Sequence, residues 1–226
     1  MDGKLFAVIL VTAGLFVGLR YLVLLACRNV LRTSPQTCAC EYDGSLGCWH
    51  AVPKNSLAYA EMIRMIRADI RGKCVLELAS GSGRLSPHIV HFAKMIEAVD
   101  SSENRLEVLR KENGSAKLHY SAHDMTHLPY ADGTFEAVIL FDVLHSTDKP
   151  EKVLAEAKRV LTDDGCLILP ALTGGRQGDS SAEAASYFRF LQENGLTLRK
   201  SVIWSGASPI AYAECGKTGS ADSVPC

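Results

Sequence analysis

The residues best suited to chemistry lie between Cys74 and Asp100, in the run Cys-Val-Leu-Glu-Leu-Ala-Ser-Gly-Ser-Gly-Arg-Leu-Ser-Pro that leads on to Glu-Ala-Val-Asp. Gly81 and Gly83 sit in a loop of small residues, with Glu77, Ala79 and Ser80 just before them and Asp100 17 residues beyond Gly83. Glycines allow a ligand to press against the backbone and allow that backbone unusual φ/ψ angles. A carboxylate about twenty residues after such a turn can accept the hydroxyls of a ribose. Together they describe a nucleoside site. A dinucleotide fingerprint would need a third glycine at position 86, where the chain has Ser86 followed by Pro87, and no Gly-x-x-x-x-Gly-Lys-Ser/Thr run is present. Pyrophosphate binding is disfavoured, and with it a nicotinamide-dependent reductase.

Positioning these residues requires a strand, a loop, a helix and a second strand. Val75, Leu76 and Leu78 form a short apolar run suited to a strand buried on both faces. A helix is expected from about Arg84 to Lys94, presenting free N–H groups to the loop, and Met95 to Val99 reads as the next strand, ended by Asp100. Ser101-Ser102 caps a helix over 103–112 that ends at Asn113-Gly114, and Lys117 to Ala122 is the third strand. This alternation predicts a parallel sheet with right-handed crossovers. Upstream, Asn55-Ser56 caps a helix running to about Arg71, with Tyr59, Met62, Ile63, Ile66 and Ile70 on one face. Downstream come a strand from Ala137 to Phe141, an amphipathic helix from Pro150 to Leu161, a strand from Cys166 to Pro170 and a helix over 181–194. Leu196 to Trp204 and Pro209 to Glu214 close as a hairpin around Ser205-Gly206.

Two stretches carry a family resemblance. Glu77-Leu-Ala-Ser-Gly-Ser-Gly resembles motif I of class I S-adenosylmethionine-dependent methyltransferases, usually acid-x-Gly-x-Gly-x-Gly, with Ala79 in the first glycine place. An alanine there is tolerable at negative φ. The stretch HDMTHLPYADGTFEAVILFDVLH, from His123, resembles the segment Asp-x-x-x-Leu-Pro-Phe/Tyr-x-Asp-x-Ser/Thr-Phe-Asp of a large methyltransferase family that includes quinone-biosynthesis enzymes. It reads Asp124, Leu128-Pro129-Tyr130, Asp132, Thr134-Phe135, then Glu136 where Asp is usual.

The resemblance implies an α/β fold over residues 55–216: a Rossmann-like, seven-stranded, mostly parallel sheet with a closing antiparallel hairpin and helices on both faces. It implies S-adenosyl-L-methionine as cofactor. Glu77, Ala79, Ser80, Gly81 and Gly83 would surround its methionine part, with Asp142 bordering that half. Asp100, with Ser101 beside it, would meet the ribose, and Asp124 with Met125 the adenine. The implied activity is direct displacement of the methyl group onto a small, lipophilic or membrane-associated acceptor. His145, after the fourth strand at the crevice mouth, is placed to act as a base. The other histidines, His88 and His91 and the series His119, His123 and His127, read as surface or capping residues. The alternative from another class is a non-catalytic, membrane-anchored module that binds the cofactor or its demethylated product.

Residues 1–27 read as an anchor. Leu5 to Cys27 is a 23-residue apolar stretch with Arg20 its only charge, long enough to cross a bilayer. A cleaved signal ending at Leu24-Leu25-Ala26-Cys27 is opposed by the weakly charged start and by Arg20. Arg28 and Arg32 after the span, against Lys4 before it, predict a cytoplasmic C-terminal domain. Residues 28–54 form a linker, in which Cys38, Cys40, Cys48 and His50 match no zinc-binding spacing, so no metal is expected. Residues 217–226 form a polar tail. A net charge of −1 without a long Lys/Arg run gives no footprint for nucleic acid, and the eight scattered cysteines do not make a disulfide framework.

Overall fold

A computed structural model of the chain describes residues 56–173, 180–205 and 209–218. The expected anchor, the linker with Cys38, Cys40 and Cys48, and the end of the tail lie outside them. Among the described residues, no helix is long and apolar enough to cross a membrane.

Helix α1 (Leu57–Asp69) starts at Ser56, whose hydroxyl oxygen accepts the Tyr59 N–H at 3.2 Å. It is followed by β1 (Cys74–Leu78), α2 (Ser86–Ile89), β2 (Met95–Asp100), α3 (Glu103–Glu112), β3 (Leu118–Ala122), β4 (Phe135–Leu140), α4 (Val143–Ser146), α5 (Pro150–Val160), β5 (Leu161–Leu172), α6 (Ser180–Glu193), β6 (Leu196–Trp204) and β7 (Ile210–Lys217). The seven strands form one sheet in the order β3-β2-β1-β4-β5-β7-β6. The first five are parallel, and β7 runs antiparallel to both β5 and β6.

Alternation along the strands supplies both faces. Leu76 and Leu78 of β1, Val138 and Leu140 of β4, and Leu167 and Leu169 of β5 point to the side covered by α5 and α6. Val75, Ala137, Ile139, Cys166 and Ile168 point to the side covered by α1 and α2. That is why these strands read as largely apolar runs. Helix α5 docks through Val153, Leu154, Ala157 and Val160, all fully buried. Val153, Leu154 and Val160 are each worth about 1.5–3 kcal/mol when removed from water, more than the helix's own propensity provides.

Three expectations need correction. The helix expected over Arg84 to Lys94 is a single turn, Ser86–Ile89. The chain beyond it is drawn off to the start of β1, where Phe92 C=O accepts the Gly72 N–H at 2.9 Å and the Lys94 N–H donates to Lys73 C=O at 2.9 Å. Strand β5 begins at Leu161 rather than Cys166, because Leu161 pairs with Phe135 and residues 162–165 are passed over before Cys166 pairs with Ala137. The closing hairpin is present, but its second arm is the inner one: β7 lies between β5 and β6 and runs to Lys217, so the tail expected from 217 starts later.

Candidate functional site

Strand β1 has β2 on one side and β4 on the other, so the chain order reverses at its carboxyl end. Ligands of open α/β sheets bind in the crevice at such a switch point. The glycine loop leaves β1 there and is tied at several points. Ser80 N–H donates to Val99 C=O at 3.1 Å, Gly83 N–H donates to Ser80 C=O at 3.1 Å, and the Tyr59 hydroxyl of α1 donates to Arg84 C=O at 2.7 Å. Gly81 has φ 57° with open space where a Cβ would stand, whereas Gly83 has φ 91° and a Cβ there would fall 2.3 Å from Leu109 Cδ1 of α3. One glycine thus leaves room above the loop, and the other lets α3 close beneath it. Ala79 departs from expectation, with φ 54° in the left-handed region. That costs a non-glycine residue about 1–2 kcal/mol.

Glu77 is buried at 2% exposure, and its Oε2 accepts the Ser86 hydroxyl at 2.6 Å, bracing the loop between its two ends. Burial, reinforced by the charge of Asp100 and opposed by the Ser86 bond, pushes its carboxyl up to about 7. Asp100 is equally buried. Its Oδ2 accepts the Gly81 N–H at 2.9 Å, and its Oδ1 accepts the Ser102 N–H at 2.9 Å and pairs with Arg105, Nε at 3.1 Å and the second nitrogen at 2.9 Å. The acid therefore organises the loop and the start of α3. A carboxylate has about four acceptor positions, and the one left over is on Oδ2. In this conformation one ribose hydroxyl can be taken there, not the two expected from the sequence.

Beyond β3, an open cavity of about 520 Å³ is lined by Ser101, His123, Asp124, Met125, Thr147 and Lys149, among others. Its size suits a small ligand. Ser101, Asp124 and Met125 of the expected set meet here; Glu77, Ala79, Ser80, Gly81, Gly83, Asp100, Asp142 and His145 do not line it. Asp124 Oδ1 accepts both the N–H and the hydroxyl of Thr126 at 2.8 Å, and these bonds hold its carboxyl below the usual carboxylate range.

The Leu-Pro-Tyr segment that follows is clamped onto α5. Arg159 donates to the carbonyls of Leu128 and Tyr130 at 3.0 and 2.7 Å and pairs with Asp132 at 2.8 Å, while Glu156 accepts the Leu128 N–H at 2.8 Å. The Arg159 bonds hold the Glu156 carboxyl down to about 2. Glu136, standing where the motif usually has Asp, accepts the Cys74 N–H at 2.9 Å and so caps the first residue of β1.

On the other side of the switch point, Asp142 has φ 58° and is nearly buried. Its Oδ1 lies 3.3 Å from His145 Nδ1 and accepts the Leu172 N–H at 3.2 Å. The His145 ring tilts against Tyr187 of α6, centroids 5.1 Å apart.

Residues 76–169 match the family model described as a methyltransferase domain. This stretch is a methyltransferase domain. S-adenosylmethionine is its cofactor, and the residues fit that group: an open space above Gly81, a buried acid with one acceptor position left, and a polar cavity with Asp124 and Met125. The chain is 33% identical over 103 residues to a demethylmenaquinone methyltransferase of Clavibacter sepedonicus, a match covering 45% of this chain and 42% of that protein. It is 30% identical over 140 residues to a ubiquinone/menaquinone biosynthesis C-methyltransferase of Desulfotalea psychrophila, covering 61% and 55%. The chain thus spans about half the length of the curated relatives it matches. The methyltransferase domain shares its fold with a Burkholderia thailandensis 1,6-didemethyltoxoflavin-N1-methyltransferase solved with S-adenosylhomocysteine, at TM-score 0.57 and 18% identity over 70% of this chain and 78% of that one.

Sequence reasoning missed Ser86, Arg105, Thr126 and Tyr187. Arg105 had a signal: a cation in the first turn of a helix opposes the helix dipole, so it needs an acid nearby.

Proposed function

We propose that the whole chain is a membrane-anchored enzyme that transfers the methyl group of S-adenosylmethionine to a small quinone-type or otherwise lipophilic acceptor. The observation carrying this is a glycine loop bonded to the buried Asp100 at the carboxyl end of β1, with Ser101, the next residue, lining the Asp124 cavity, in a chain that matches a methyltransferase domain. When bound, S-adenosylmethionine supplies a methyl on a positively charged sulfur that leaves as a neutral thioether. The loop at Ala79 to Gly83, with Glu77 bracing it, holds the methionine part; Asp100 and Ser101 take the ribose; Asp124 accepts from the adenine amino group with Met125 against the ring. His145 receives a proton from the acceptor. The quinone-type acceptor is supported by the names of the two bacterial relatives, and the anchor by the apolar stretch from Leu5 to Cys27, which would hold the domain on the cytoplasmic side.

Calorimetry on the full-length protein tests the reading. S-adenosylmethionine and S-adenosylhomocysteine should bind and NAD should not; binding of NAD alone overturns it. Cell extract supplied with labelled cofactor should then yield a labelled lipid-soluble product.

A further inference from the structure

The side chain of Asp142, expected from the sequence to meet the cofactor, already has two partners within the protein, both on Oδ1. Its Oδ1 takes the Leu172 N–H at 3.2 Å from the end of β5 and faces His145 Nδ1 at 3.3 Å. The residue itself is fixed. Its N–H donates to Pro170 C=O at 2.8 Å, its C=O accepts from the Ser146 hydroxyl at 3.3 Å, and its side chain is 8% exposed. Asp142 also holds φ 58°, an angle that side-chain-bearing residues avoid and that Asp and Asn tolerate best. Three positions further on, the His145 ring is held between that carboxylate and Tyr187, 39% exposed.

We propose that Asp142 is a positioning residue for His145: it fixes the ring as the Nδ1–H tautomer and so leaves Nε2 as the nitrogen that receives the acceptor's proton. An ionised carboxylate only accepts, so the hydrogen between the two groups belongs to Nδ1. In the neutral ring, Nε2 is then the acceptor, and among the described residues it has no hydrogen-bond partner. The proton passes from the acceptor's X–H bond to Nε2, and the electron pair of that bond stays on X, ready for the incoming methyl. The imidazolium formed is offset by Asp142. Groups facing His145 from the packed elements are Asp142 at the β4–α4 turn and Glu183 and Tyr187 of α6. The Asp142 bond, helped by the charges of Asp142 and Glu183 and opposed by burial, raises the His145 ring above its ordinary value. Such a ring is a stronger base than a free imidazole once it is neutral, which suits an acceptor with a reluctant proton, such as a hydroxyl. This role rests on the methyltransferase reading.

The test uses full-length protein labelled with 15N-histidine, followed by NMR of the ring nitrogens through a pH titration, together with calorimetry of S-adenosylhomocysteine. His145→Gln assigns the signals. Asn is the substitution best suited to the left-handed turn, so Asp142→Asn should fold; Asp142→Gly is a second variant with no backbone strain. The expected wild-type result is a neutral ring protonated on Nδ1. In Asp142→Asn the midpoint should fall by about half a unit or more, and in Asp142→Gly the tautomer preference should also be lost. S-adenosylhomocysteine affinity should stay within about twofold in both. Loss of about tenfold in affinity with unchanged His145 signals makes Asp142 a cofactor ligand and overturns the proposal, as do unchanged signals with unchanged affinity. Failure of the wild-type protein to bind S-adenosylhomocysteine overturns instead the reading of the site on which this role depends.

Discussion

Replacing Gly83 by alanine separates the two reasons a glycine stands there. At φ 91° an alanine is strained by about 1–2 kcal/mol. Its Cβ would also fall 2.3 Å from Leu109 Cδ1 and 3.3 Å from Leu109 Cγ, and Leu109 is fully buried. Overpacking of that kind costs about 1–3 kcal/mol. The expected total is about 2–5 kcal/mol. Leu109→Val removes Cδ1, the atom struck first, and alone costs about 1 kcal/mol for the lost methylene. In the Leu109→Val background, Gly83→Ala should keep its backbone cost and the lesser contact at Cγ but lose the clash at Cδ1, so the double-mutant cycle should return a favourable coupling of up to about 3 kcal/mol. Urea unfolding of the four full-length proteins measures it, followed through Trp204, whose ring packs 6.2 Å from Tyr212 in the sheet. Additivity within about 0.5 kcal/mol would refute the idea that α3 shapes the loop by contact.

Asp100→Asn keeps the size of the acid and removes its charge, so S-adenosylhomocysteine should bind more weakly by about 1.5–3 kcal/mol in calorimetry, the range for hydrogen bonds to a charged group; an unchanged dissociation constant in a folded variant removes Asp100 from the site. Glu77 gives a pH signature. Burial raises its carboxyl from the ordinary 4.5 to about 7 in the folded protein, so below about 4.5 both states are protonated, between 4.5 and 7 only the unfolded state ionises, and stability falls as pH rises through that window. Glu77→Gln should shrink the stability difference between about pH 5 and pH 8 by up to about 3 kcal/mol in urea titrations; an identical pH slope in both proteins would show that the buried carboxyl is not the source.

The strands were legible because each carries its own signal. β1, β4 and the part of β5 from Cys166 are short, largely apolar runs that the sheet buries on two faces, and the acid ending β2 marks where the backbone leaves the sheet. Helix α3 was readable for the same local reason, with Ser102 as its cap and Leu106 and Leu109 turned inward. The helix after the glycine loop was not. Ser-Pro followed by apolar residues looks like a long helix, but Gly72 and Lys73, before β1 in sequence, take the backbone groups that would have continued it. The inner position of β7 was likewise invisible, since a hairpin pattern gives pairing of its two arms and not which arm meets β5.

The positions of the site residues followed from loop spacing, but their electrostatic partners did not. In the sequence Asp100 and Asp142 both stand as acids open to a ligand, because a sequence displays an acid without displaying what neutralises it. In the structure each is engaged by its own surroundings: Asp100 by Gly81, Ser102 and Arg105, Asp142 by Leu172 and His145. The two differ in what they engage. Asp100 keeps one acceptor position on Oδ2 beside the glycine loop, so a ribose hydroxyl can join a network that is already formed. Asp142 places both of its bonds on Oδ1, one from a backbone N–H and one with an imidazole, and the imidazole contact makes it a support for another residue's chemistry. Ala79 carries the same lesson for the backbone. Its left-handed φ belongs to the turn that brings Ser80 N–H to Val99 C=O, a contact with a residue 19 positions further along the chain. An alanine can stand in the first glycine place at positive φ, because the energy of closing the loop against β2 exceeds the strain of about 1–2 kcal/mol at one residue.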